Sequence, residues 1–171
     1  MKSTDVLVIG GSAAGLASAL ASKSHYPEKS VTLVRLETKV AIPCGIPYIF
    51  GTLENTDQDM LPDGGLIKSG VEIVVDEVTS LSGETKTATL KGAGEISYDK
   101  LIIATGSRPV VPGWLKGAEL ENVYTVPKDL VYLDAMKKKL ESKRNIVVIG
   151  AGFIGIEMSD ELKKTGKNVT L

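Results

Sequence analysis

The chain has 171 residues, 43% of them hydrophobic and 24% charged, with a formal net charge of −1 and a single cysteine. This is ordinary globular composition, enough for one good core or two small ones. It supplies no basic excess for a nucleic-acid backbone and no apolar run near the ~20 residues of a membrane helix. No secretory leader is expected at the start, and one cysteine cannot close an internal disulfide, so a reducing, cytoplasmic setting is expected.

Taken in chain order, "DVLVIGG" (5–11) predicts a buried strand that runs into a glycine turn. "AAGLASALASKS" (13–24) predicts a helix of small residues suited to lying close on a sheet, and "VTLVR" (31–35) a second strand. Strand, glycine turn, helix and strand make a βαβ unit with a right-handed crossover. "AIPCGIPYIFG" (41–51) holds the lone Cys44 between Pro43 and Gly45, and from Cys44 on it predicts a short helix. "VEIVVDEVTSL", "KTATL" and "EISY", separated by "SGET" and "KGAG", predict an antiparallel meander inserted into the α/β unit. "KLIIATG" (100–106) returns to buried-strand character, and the proline-rich "SRPVVPGW" is the first plausible domain boundary. "PKDLVYLDAMKKKLESK" predicts a helix whose three lysines form a solvated face.

"NIVVIGAGFIGIEMSDELKKTGKNVTL" repeats the opening pattern. Gly150, Gly152 and Gly155 form an unbroken G-x-G-x-x-G after a strand and at the head of a helix. The first glycine permits the turn, the second admits a pyrophosphate, and the third lets helix pack on strand. The helix N-terminus adds free N–H groups and partial positive charge. In the first turn Gly10 and Gly15 hold the outer positions and Ser12 the middle one. An acid is expected about 20 residues past such a turn to bind ribose. Arg35 stands there and Glu37 two positions later, leaving open whether Arg35 meets a 2′-phosphate or Glu37 reaches the ribose. The expected architecture is α/β: a Rossmann-like βαβ unit with an inserted meander, then the start of a second Rossmann-like unit. The division falls at residues 1–113 and 114–171, and the second unit breaks off at its second strand, so the chain reads as an N-terminal piece of a longer protein.

The ordered set of Gly10–Gly15, "KLIIATGSRPVVPG" and "NIVVIGAGFIGIE" resembles the two-dinucleotide flavoprotein disulfide reductases. The resemblance covers essentially the whole chain. It implies FAD in the first unit, NADH or NADPH in the second, and a dimerisation domain further on that would make the parent a homodimer. By position it implies FAD contacts at Gly10, Ser12, Ala13, Ala14, Gly15, Arg35 or Glu37, Val78, Ala104, Thr105 and Gly106. Gly150, Gly152, Phe153, Ile154, Gly155 and Glu157 fall in the NAD(P)H turn.

Within that family two-cysteine members carry a dithiol, whereas "PCGIPY" resembles the single-cysteine branch of NADH oxidases and coenzyme A-disulfide or polysulfide reductases. Val40, Pro43, Ala17 and Ala21 stand where coenzyme A-reducing members often place polar residues. A thiol at the head of a short helix favours the thiolate, the form that attacks disulfides and peroxides. Cys44 is thus the expected redox centre, with a small disulfide, polysulfide or oxygen as acceptor. Tyr48 and Lys68 are candidate assistants, and His25 is expected at the surface. The rival readings are a rubredoxin- or ferredoxin-type electron-transfer reductase with an idle Cys44, and a nucleotide-binding piece without turnover.

Overall fold

The structure, a computed structural model, describes residues 2–171 and divides into two compact units. The first comprises residues 2–40 and 61–106, the second residues 41–60 and 107–171.

In the first unit β1 (Lys2–Ile9), α1 (Ala13–His25) and β2 (Val31–Arg35) form the expected βαβ. The two strands pair in parallel with Val6 opposite Val31. A short α2 (Gly64–Lys68) leads into β3 (Glu72–Val75), followed by β4 (Val78–Ser82), β5 (Thr87–Leu90) and β6 (Gly94–Ile103). Together they make one sheet in the order β3-β2-β1-β6-β5-β4. β3 pairs in parallel with β2, so it belongs to the parallel half and not to the meander that its sequence texture suggested. The break falls at Asp76, whose carboxylate accepts from the backbone N–H groups of Glu77, Gly92 and Ala93. "EISY" and "KLII" are a single strand: its start pairs antiparallel with β5 while its length runs parallel to β1.

Both faces of β1 are covered, which is why it reads as a continuous apolar run. Val8 joins Ala19, Val31, Leu33, Leu66 and Val71 on the helical side. Leu7 and Ile9 join Val34, Leu90, Ile96 and Tyr98 on the other. Ala19 is fully buried on α1, and nothing larger would let the helix lie so close.

In the second unit α3 (Leu130–Glu141) is capped by Asp129, whose side chain accepts from Val131 and Tyr132 N–H at 2.9 and 3.0 Å. Its buried stripe is Leu130, Leu133, Met136 and Leu140; Lys138 and Lys139 lie on the solvated side as expected, whereas Lys137 is half-buried and donates to the Leu53 and Glu54 carbonyls. β7 (Asn145–Val147), α4 (Phe153–Lys164) and β8 (Asn168–Thr170) repeat the strand-helix-strand pattern, with β7 and β8 parallel. Ile46, Ile49 and Phe50 of the cysteine segment pack into one core with α3 and with Met158 and Leu162 of α4. Ile46, Ile49 and Phe50 are apolar because they fill that core.

Candidate functional site: two glycine turns and the Cys44 segment

In the first unit Gly10 ends β1 at φ +109°, a conformation open only to glycine without strain. Its N–H donates to the Val34 carbonyl at 2.8 Å, and a Cβ there would run into the Ala104 carbonyl. Gly15 abuts the Gly10 carbonyl so closely that a Cβ would collide with it. Ala104 N–H donates to the Ile9 carbonyl at 2.7 Å, which ties the "ATG" turn to the back of the glycine turn. Thr105 is exposed, and Gly106 has φ +75° with open space above it. Ser12 sits at the N-cap of α1 but its hydroxyl makes no cap bond, so the first-turn amides at Ala13 and Ala14 stay open to an anion.

Gly11 is a requirement that spacing did not single out: a Cβ there would lie 2.5 Å from Arg35 Cδ. Arg35 is buried at the end of β2, with Nη1 and Nη2 each 2.6 Å from an Asp63 oxygen and Nη2 3.0 Å from the Thr38 carbonyl. These bonds hold the Asp63 carboxyl below its usual range. Glu37 is exposed. Val78 opens β4 opposite Leu90 and packs on the sheet's second core.

The second unit repeats the same backbone device. Gly150 has φ +113°, and Gly155 abuts the Gly150 carbonyl as Gly15 abuts that of Gly10. Gly152 is the N-cap of α4, with no side-chain cap bond and nothing within 4 Å of where a Cβ would be. Phe153 and Ile154 are exposed at the head of the helix and Glu157 lies one turn on, also exposed. In each unit a tight glycine turn delivers an uncapped helix N-terminus, which fits the diphosphate of a dinucleotide.

Cys44 occupies the third position of a turn closed by Gly45 N–H to the Ile42 carbonyl at 2.8 Å, and it is exposed. The predicted short helix is a 3-10 helix, Ile46–Phe50, with Pro47 near its start. A 3-10 geometry suits a five-residue piece that must turn sharply. Tyr48 is half-exposed, Lys68 ends α2 in the other unit, and exposed His25 lies at 3.0 Å from the Ala21 carbonyl.

Two buried acids at this segment have no signature in the sequence. Asp59 faces Gly45, and burial pushes its carboxyl up to about 6. Glu161 of α4 faces Gly51 and accepts from the Thr52 hydroxyl at 2.7 Å and from Lys164 at 2.6 Å. Among the described residues no helix is long and apolar enough to cross a membrane.

Residues 4–171 match the family model for pyridine nucleotide-disulphide oxidoreductases. A coenzyme A polysulfide/persulfide reductase using NAD(P)H, from Pyrococcus horikoshii, is 34% identical over 97% of this chain and 38% of its own length. An NADH oxidase from Enterococcus faecalis is 31% identical over 97% of this chain and 39% of its own length. The chain thus spans about two fifths of the relatives it matches. Among solved structures, a NAD-dependent persulfide reductase from A. fulgidus aligns at TM-score 0.82 and 30% identity, over 96% of this chain and 33% of that one. The parallel sheet, the paired glycine turns and a family match over nearly the whole length agree: this chain belongs to the pyridine nucleotide-disulphide oxidoreductase family.

Proposed function

We propose that the chain forms the FAD-binding and the beginning of the NAD(P)H-binding segments of a flavoprotein oxidoreductase in which Cys44 carries the acceptor. By function, residues 1–113 are assigned to FAD and 114–171 to NAD(P)H. FAD, when bound, relays two electrons from NAD(P)H to a sulfur-bound acceptor. Gly10, Ser12, Ala13, Ala14 and Gly15 hold its diphosphate, and Ala104, Thr105 and Gly106 line the turn behind. Glu37 is the preferred ribose ligand, because both terminal nitrogens of Arg35 are already committed. Gly150, Gly152 and Gly155 hold the diphosphate of NAD(P)H, with Phe153, Ile154 and Glu157 at its edge.

The thiolate of Cys44 attacks a small disulfide or a polysulfide, forming a mixed disulfide or persulfide and expelling a thiolate or shortened polysulfide that takes a proton. Two electrons then break that S–S bond, and the Cys44 thiolate is restored as the second sulfur leaves. With peroxide, or with oxygen once two electrons and two protons have reduced it to peroxide, the thiolate takes one oxygen atom as a sulfenate and the other leaves as water; two further electrons and protons restore the thiolate and release a second water. The protein would act in the cytoplasm as a homodimer.

The observation that carries this reading is an exposed thiol in a tight Pro–Cys–Gly turn, in a chain with two dinucleotide-type turns. The test is the intact mass of the flavin-containing protein, purified without reductant, before and after dithiothreitol, with any adduct mapped to its peptide. A reducible adduct on Cys44 supports the mechanism, and its mass separates coenzyme A, added sulfur and added oxygen. An unmodified Cys44, together with full turnover after Cys44→Ser, leaves an electron-transfer reductase in its place.

A further inference from the structure

The Cys44 turn is backed by a carboxyl for which the reaction above has no use. Asp59 is 2% exposed. Its carbonyl accepts the Ile42 N–H at 3.1 Å, its own N–H donates to the Thr56 carbonyl, and an antiparallel bridge joins Ala41 to Met60. These bonds press the side chain onto the turn, with Asp59 Oδ1 filling the space a Cβ on Gly45 would take. Asp59 Oδ2 has no hydrogen-bond partner among the described residues. A buried carboxyl oxygen without a donor is costly and calls for an explanation.

Glu161 supplies the contrast. It is equally buried and abuts Gly51, the glycine at the other end of the 3-10 helix, yet Thr52 and Lys164 satisfy it. Each glycine that bounds the cysteine-bearing helix therefore makes room for a buried acid, but only the acid on the Cys44 side is left wanting a proton or a donor.

We propose that Asp59 is a positioning residue for Cys44: it holds the Ile42–Gly45 turn and sets the charge beside the sulfur, so that carboxylate and thiolate compete for one negative charge. This rests on reading Cys44 as the reactive sulfur. While Cys44 is capped as a disulfide, Asp59 ionises against burial alone. When the thiolate returns on the residue next to Gly45, which Asp59 abuts, its charge would oppose a second negative charge on the carboxyl. The titratable groups on the elements packed about this turn are Cys44 and Tyr48 of the segment, Asp57 of the preceding turn, and Asp134, Lys137, Lys138 and Lys139 of α3, which packs on residues 56–58. Lys137 donates to the Leu53 and Glu54 carbonyls, Lys138 pairs with Asp134, and Lys139 with Glu121. None of these pairs includes Asp59, whose displacement comes from burial.

The test is the rate of Cys44 alkylation by iodoacetamide from pH 5 to 9 in the flavin-loaded protein. In the wild type the logarithm of the rate climbs with pH, flattens near the point where Asp59 ionises, and climbs again. Asp59→Asn removes the flattening and alkylates faster above pH 7, on the order of tenfold for a like charge removed at short range. Glu161→Gln follows the wild-type profile while lowering the unfolding midpoint. An Asp59→Asn profile that superimposes on the wild type overturns the proposal. If that variant does not fold, the wild type decides: an unbroken climb through pH 6 overturns it, and a flattening supports it. A shifted profile without any reducible adduct on Cys44 would keep the Asp59–Cys44 coupling and sink the redox reading instead.

Discussion

Replacing Asp59 by asparagine should stabilise the protein above pH 6 and have no such benefit near pH 4. The folded carboxyl stands at about 6 against a reference of 3.8, so the folded state holds a proton that the unfolded chain releases. The sign follows. The contribution of Asp59 to stability is greatest below its unfolded value, declines as pH rises between the two, and is lost above the folded one. At 1.36 kcal/mol per unit the full loss is about 3 kcal/mol. Asparagine cannot titrate, so the variant escapes it, whatever fixed cost its amide adds. Urea unfolding followed by circular dichroism at pH 4, 5, 6 and 7 measures this, provided the denaturant slope is unchanged. The difference in unfolding free energy, variant minus wild type, should grow by about 2.4 kcal/mol from pH 4 to pH 7, since part of the loss has already occurred at pH 4. Asp63, Asp76 and Asp99 lie below their usual range and stabilise in the opposite sense, losing their contribution as pH falls. They are common to both proteins and cancel in the difference. A difference that stays flat across that range would mean that Asp59 is solvated or partnered, and the argument from burial would fail.

Other consequences follow from the same geometry. Asp63→Ala strips the paired carboxylate from a guanidinium buried beneath Gly11, and calorimetry should show a loss of about 3 kcal/mol, as for other broken buried pairs; a loss under about 1 kcal/mol would mean that Arg35 swings out to water. Gly15→Ala drives a methyl into the Gly10 carbonyl, so the purified protein should lose its flavin absorbance. Gly155→Ala makes the same collision with Gly150 and should leave flavin bound while abolishing its reduction by NAD(P)H; equal loss of flavin in both variants would undo the assignment of the two turns. Glu161→Ala leaves the Thr52 hydroxyl and Lys164 without their acceptor and should cost about 1–3 kcal/mol in urea unfolding, with Cys44 alkylation unchanged.

What could be read from the sequence is what the backbone itself demands. Gly10, Gly15, Gly150 and Gly155 announce themselves because a positive φ or a carbonyl pressed against the Cα admits no other residue, and those constraints are local. The apolar run "VLVI" was legible for a similar reason, since a strand covered on both faces favours apolar side chains throughout. The sequence failed where a residue's meaning depends on something distant in the chain. Glu72–Val75 has the texture of an antiparallel run, and only its pairing with Thr32–Arg35 makes it parallel. Gly11 looks like padding until Arg35 folds beneath it. Asp59 lies in "NTDQDM", a stretch that reads as a solvated loop, and Glu161 lies in a helix rich in charge. Both are buried against glycines that the sequence showed plainly, and the two observations are complementary. Neither Gly45 nor Gly51 has a positive φ that would call for glycine. They are glycines because an acid from another segment occupies the volume of the missing side chain, so the carboxyls and the space beside the cysteine have to be explained together.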